Sequence, residues 1–156
     1  MSKSLTRVRR TLEEAGLNTE ILEMPGGTRT AEEAATAADC DLDQIAKSII
    51  FRGAADGHVV LFLTAGGNRV DPAKASALAG EPLGKADAAL IRAETGFAIG
   101  GVAPIGHLAP IRAWFDPRLL DFEAVWAAAG TPRHIFAASP RDILRLSGAE
   151  VADFAI

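Results

Sequence analysis

"KSIIFRGAADGHVVLFLTAG", residues 47–66, decides the fold. Residues 47–53 and 58–66 are rich in β-branched and aromatic side chains, which suit pleated, half-buried strands. The intervening "AADG" supplies turn chemistry, so the two runs predict a β-hairpin. Working outward, "TRTAEEAATAAD" predicts a helix capped by Thr30, with Glu33 at the capping-box position. Leu5, Val8, Leu12 and Ala15 recur at helical spacing, and Gly16 suits the end of that helix. "NTEILEMP" reads as a strand closed by Pro25 and two glycines.

On the other side of the hairpin, "FAIGG", "IRAWF" and "HIFAAS" read as further strands. Asp71-Pro72, Asp116-Pro117 and Ser139-Pro140 read as helix starts, the first residue capping and proline taking the first helical position. Helices and strands alternate irregularly, without a βαβ repeat. The expectation is one α+β domain over residues 1–156, with a mixed, mainly antiparallel sheet.

The bulk numbers agree. The chain has 156 residues, 49% hydrophobic and 23% charged, a balance that supplies a real core. Net charge is −4 and the isoelectric point near 5.4. A broad nucleic-acid groove is usually basic, so DNA is not an expected partner and any RNA contact should be small and local. The start, "MSKSLTRVRRTLEEAG", is charged throughout and reads neither as a signal peptide nor as a membrane span. No segment reaches about 18 uninterrupted apolar residues, so no membrane partner is expected. The single cysteine, Cys40, makes no internal disulfide and fits a reducing cytoplasm.

Several motifs fail on their chemistry. Gly101 to Leu108 reads G-x-x-x-x-G-H-L, but a phosphate loop needs lysine and then serine or threonine where His107 and Leu108 stand. "DCDLD" opens like a calcium loop, yet Gln44 and Ile50 occupy the positions that need glycine and glutamate. His58, His107 and His134 lack close metal-ligand spacing and Cys40 has no cysteine partner, so no metal is expected. There is no G-x-S-x-G elbow. At the end of an alanine-rich helix, Cys40 reads as a small packed residue rather than a nucleophile.

Two features remain. Strand alternation puts Lys47 on the face of Ile49 and Phe51. Its ammonium either sits at the mouth of an apolar pocket or snorkels to solvent from the strand end. In "FAIGGVAPIGH", residues 97–107, Gly100 and Gly101 either mark a bulge before a turn fixed by Pro104 or expose N–H groups to a substrate oxygen, as donors to a developing oxyanion do.

Together, "DQIAKSIIF" and "TGFAIGGVAPIGH" resemble the YbaK/ProX family of aminoacyl-tRNA deacylases, which includes the editing domain inserted in bacterial prolyl-tRNA synthetases. The resemblance covers nearly the whole chain, from the helix before "RTAEEAA" to "VWAAAGTP". It implies a mixed sheet partly curled around the site and flanked by helices, and hydrolysis in trans of the ester joining a wrong amino acid to tRNA, commonly tRNA for proline. The family's lysine falls on Lys47 and its G-x-x-x-P loop on Gly100, Gly101, Val102, Ala103 and Pro104. The family often carries serine where Ala103 stands. The pairing of "GGVAPIGH" with "VWAAAGTP" is more similar to the free-standing ProX-type proteins than to the cysteine-specific YbaK branch.

The resemblance implies Lys47 and Gly101 as catalytic residues. Gly101 and neighbouring N–H groups would face the oxyanion, while Lys47 would anchor the terminal adenosine or orient the ester. Gly100, Val102, Ala103, Pro104 and Gly106 would line the substrate, Ser48 could assist, and His107 would contact ligand or close the loop structurally. The expected partner is the aminoacylated CCA end of tRNA, with a synthetase supplying further affinity, and no cofactor is required. The rival expectation is a module that binds aminoacyl-tRNA or a synthetase without turnover.

Overall fold

The computed structural model describes residues 2–24, 26 and 30–156. The hairpin forms as read: β2 (Ala46–Gly53) pairs antiparallel with β3 (Val59–Ala65), Lys47 opposite Thr64 and Ser48 opposite Leu63. Every residue of β3 is buried, because both faces of its sheet are covered. Leu61 and Leu63 point into the larger core with Val8, Phe97, Phe115 and Phe136. Val60 and Phe62 point into a second core, where Phe62 stacks on Trp114 at 4.9 Å and meets Phe51 edge-on at 5.8 Å.

That sheet has five strands. β4 (Leu83–Lys85) pairs antiparallel with the far end of β2. β5 (Arg112–Phe115) runs parallel to β3, and β8 (Glu150–Val151) parallel to β5. A second, antiparallel sheet orders β1 (Ile21–Glu23), β7 (His134–Ala138) and β6 (Val125–Ala128). An isolated parallel bridge, Ile45 to Trp126, joins the two sheets just before Lys47. The α+β class and the mainly antiparallel pairing hold, divided between two sheets rather than one.

The helices follow their caps. α1 (Lys3–Glu14) buries Leu5, Val8 and Leu12. α2 (Ala31–Ala38) starts at Thr30, whose hydroxyl accepts from the Glu33 N–H at 3.1 Å. Asp71 and Ser139 accept from the backbone two residues on and start α3 (Pro72–Ala79) and α5 (Pro140–Ser147). Asp116 also caps, but Pro117–Asp121 is a short 3-10 turn. The sequence reading omitted α4 (Ala88–Thr95), capped by Asp87. Pro25 and Gly27, expected to close the first strand, lie outside the described residues.

One expected strand is absent. "FAIGG" forms a loop: Phe97 is fully buried as a core side chain, and residues 98–101 make a turn closed by the Gly101 N–H donating to Ala98 O at 3.0 Å. Gly100 takes φ +88°, outside the extended region and costly for residues other than glycine.

Candidate functional site

A cavity of about 390 Å³ opens where the two sheets meet. The start of β2 and the N-terminus of α2 form one side, and β6, β7 and the loop after Phe97 form the other.

Lys47 and Ser48 both line it, although alternation sends their side chains opposite ways. At the end of the strand, the cavity reaches both faces. Lys47 Nζ donates to Gly66 O at 3.2 Å. That carbonyl belongs to a turn fixed by the buried carboxylate of Asp116, which accepts from Ala65 N at 3.1 Å and Asn68 Nδ2 at 2.8 Å. Asp43 Oδ1 accepts from Gly67 N at 2.8 Å. Burial holds the Lys47 ammonium below its ordinary range, with Arg69 acting the same way and Glu32, Asp116 and Asp43 opposing. Lys47 is thus partly desolvated at the cavity wall, not a freely snorkelling side chain. Ser48 Oγ donates to Val102 O at 2.8 Å and ties β2 to the glycine loop.

The loop divides its residues between two sides. Gly100 and Val102 line the cavity, and Ile99 stands at its rim, 57% exposed. No hydrogen bond to a described residue engages the N–H of Gly100 or Val102. Gly101 faces away. Its N–H is already donated to Ala98, and a Cβ there would lie 2.7 Å from Thr131 Cα and 2.9 Å from Pro132 N. The Gly101 N–H, expected to face an oxyanion, is donated within the turn: this glycine permits close backbone packing, and the unengaged donors among the described residues of the loop include its neighbours.

Ala103 is buried, and Pro104, Gly106 and His107 line a separate depression behind the loop. His107 Nε2 donates to Ala103 O at 2.7 Å, so this nitrogen carries the proton. The ring meets Phe97 edge-on at 6.0 Å. Burial lowers the His107 pKa, Arg7 adds to that, and the Ala103 bond opposes it. His107 is a neutral staple of the loop, outside the cavity.

The structure therefore brings together Lys47, Ser48, Gly100 and Val102 and leaves Gly101, Ala103, Pro104, Gly106 and His107 behind the cavity wall. Sequence reasoning missed Thr30, Glu32 and Gly66 at the mouth and Trp126 and Ile135 on the apolar wall. "VWAAAGTP" was the available signal for Trp126. The other histidines are engaged elsewhere: His58 with Glu94 at 3.1 Å, and His134 with Glu23 at 3.1 Å and Thr131 at 2.6 Å. Half-buried Cys40 has its thiol pKa raised by burial, Asp41 and Asp39, which disfavours the nucleophilic thiolate.

A partly desolvated ammonium, unengaged backbone donors and an apolar wall suit a ligand with an oxygen-rich group and a small apolar part. Residues 26–146 match the aminoacyl-tRNA editing domain family. A crystal structure of a candidate trans-editing enzyme for prolyl tRNA synthetase superposes with a TM-score of 0.91 at 46% identity, covering 100% of this chain and 99% of that one. The crystal structure of the hypothetical protein APE2540 does so at 0.86 and 30% identity, covering 96% and 99%. Uncharacterized protein YwhH of Bacillus subtilis (strain 168) is 28% identical over 148 residues, 95% of this chain and 94% of its own length. The chain belongs to the aminoacyl-tRNA editing domain family.

Proposed function

We propose that this chain is a trans-editing deacylase, hydrolysing the ester that joins a small non-cognate amino acid to tRNA for proline. The observation that carries the reading is the pairing of Lys47 with the Gly100–Val102 backbone across one small cavity. Its 390 Å³ lies near the lower end of the roughly 300–1,000 Å³ typical of ligand sites, which supports a small aminoacyl group.

Water attacks the ester carbonyl, and the products are the free amino acid and tRNA with its ribose hydroxyl restored. The oxyanion formed on the way accepts from the N–H groups of Gly100 and Val102, the donors left unengaged in the loop. Lys47 anchors the phosphate or ribose of the terminal adenosine. The adjacent ribose hydroxyl of the substrate helps place the water, since among the described residues no serine–histidine or cysteine–histidine pair lines the cavity. The apolar wall admits alanine, serine, threonine, cysteine or 2-aminobutyrate. Size alone separates neighbours by about 1–3 kcal/mol per methylene. An acidic protein that grips only the CCA end needs little basic surface, and a synthetase partner would add affinity.

A single-turnover panel tests this reading. Transfer RNA for proline is charged with each of the five amino acids, with alanyl-tRNA for alanine as control. Faster release from at least one proline-tRNA ester than from the control is expected. A substrate lacking the adjacent hydroxyl, with its ester position fixed, should bind equally well and react much more slowly. Tight binding with no release from any ester would make the chain a binding module instead.

A further inference from the structure

We propose that Arg7, on α1, is a positioning residue of the site, a clasp that holds the two ends of the glycine loop together. Its guanidinium reaches both ends at once. Nε donates to Gly106 O at 2.6 Å, and Nη2 donates to Gly96 O at 3.0 Å and Thr95 O at 3.4 Å. The same group lies 4.7 Å over the ring of Phe97, the first core anchor of the loop. A planar fork of donors suits two carbonyls that face one another; a lysine ammonium, a single point charge, does not. Thr95 and Gly96 also end α4, where a cation complements the exposed carbonyls.

Two of the three clasped residues are glycines with positive φ, +83° at Gly96 and +75° at Gly106. A Cβ at Gly96 would lie 2.9 Å from the guanidinium carbon. Among the described residues, the backbone joins the two ends of this loop through Leu108 N to Thr95 O at 3.2 Å and Ala109 N to Glu94 O at 3.3 Å. Between the clasped ends lie Gly100 and Val102, and α1 also holds the facing turn through Ser4 Oγ, which donates to Gly130 O at 2.8 Å. The family match begins at residue 26, so the clasp comes from a helix outside the matched segment. Arg7 itself does not line the cavity. It acts through the position of the loop donors.

The effect on turnover rests on the deacylase reading; the effect on the loop does not. Two readouts separate them. First, the amides of Gly101 and Leu108 are followed by hydrogen exchange in the wild-type chain, Arg7→Ala and Arg7→Lys. Faster exchange of both in each variant, with unchanged exchange in the β2–β3 hairpin, is expected. Second, deacylation is measured on whichever ester the wild-type chain releases. The expected result is a fall in kcat of up to about 10²-fold with little change in KM, since a misplaced donor costs the transition state most. Lysine should not restore it, and millimolar methylguanidinium should partly restore Arg7→Ala. Native loop exchange in both variants, or full turnover in Arg7→Lys, would overturn the clasp. If Arg7→Ala does not fold, Arg7→Lys carries both readouts. Should the wild-type chain release no ester, the functional reading falls while the exchange comparison still decides the clasp.

Discussion

Ser48 Oγ reaches the carbonyl of Val102 across 2.8 Å and 54 residues of sequence. The bond joins the strand carrying Lys47 to the middle of the loop, so the two halves of the cavity wall keep a fixed separation. Ser48→Ala should cost about 0.5–1.5 kcal/mol, the usual net worth of one such bond. It should also slow ester release by at least about tenfold, a barrier change of about 1.4 kcal/mol. Urea midpoints and single-turnover rates check the pair of effects. Wild-type release with the expected stability loss would show that the loop keeps its place without this bond.

Lys47→Met separates charge from packing. Folding partly desolvates this ammonium and lowers its pKa from the ordinary 10.5. The unfolded chain therefore holds the proton more tightly. The resulting destabilisation is full below the folded pKa and is relieved as pH rises towards 10.5. Removing the charge should leave neutral-pH stability unchanged or raised while abolishing most deacylation. Thermal melts beside rate measurements test this; a folded variant with normal turnover would make Lys47 a bystander.

Gly101→Ala is expected to act through packing. Its new methyl carbon would sit 2.6–2.9 Å from the backbone of Thr131 and Pro132, and backbone atoms cannot swing aside. Overpacking of this kind costs about 1–3 kcal/mol. Stability and turnover should fall together. A variant with the wild-type melting temperature and lost turnover would restore Gly101 as a direct participant.

Acid should loosen the loop through His107. Its folded pKa lies below the ordinary 6.5 because the ring is buried, so below 6.5 the unfolded chain binds the extra proton. Stability is then lost as pH falls from 6.5 through the folded pKa. His107→Gln keeps an N–H donor for Ala103 and removes the titration. The exposed His58, raised by Glu94, has the opposite slope: its contribution is present below 6.5 and lost as pH rises through its folded pKa. Comparing the two proteins cancels that slope. Parallel stability–pH curves between pH 5 and 7 would contradict the prediction.

The hairpin was legible because β-branched and aromatic residues fill both runs around a clear turn. The Asp-Pro and Ser-Pro starts were legible because cap and proline are local chemistry. β6 was harder: "VWAA" is alanine-rich, and pairing with β7 makes it a strand. β4 and β8, of three and two residues, exist only through their neighbours. "FAIGG" misled because burial of Phe97 in the core and burial in a strand look alike in one dimension. At the site, Lys47, Ser48, Gly100 and Val102, singled out from the sequence, line one cavity. Gly101 packs against the backbone of Thr131 and Pro132, a placement the sequence does not display because a glycine admitting a ligand and one admitting another backbone carry the same letter. His107 was open between two roles; its bond to Ala103 and its place outside the cavity favour the structural one.

The contacts that shape the cavity span long stretches of chain: 54 residues from Ser48 to Val102, 99 from Arg7 to Gly106 and 126 from Ser4 to Gly130. Closing such loops delays folding, because their entropy is lost before their contacts form. The β2–β3 hairpin is local and can assemble early, whereas the cavity needs residues from Thr30 to Ile135 in place. During synthesis the ribosome must therefore release most of the chain before any competent site exists. A kinetic trap that stalls the loop would leave a protein with native β2–β3 pairing and an unformed cavity.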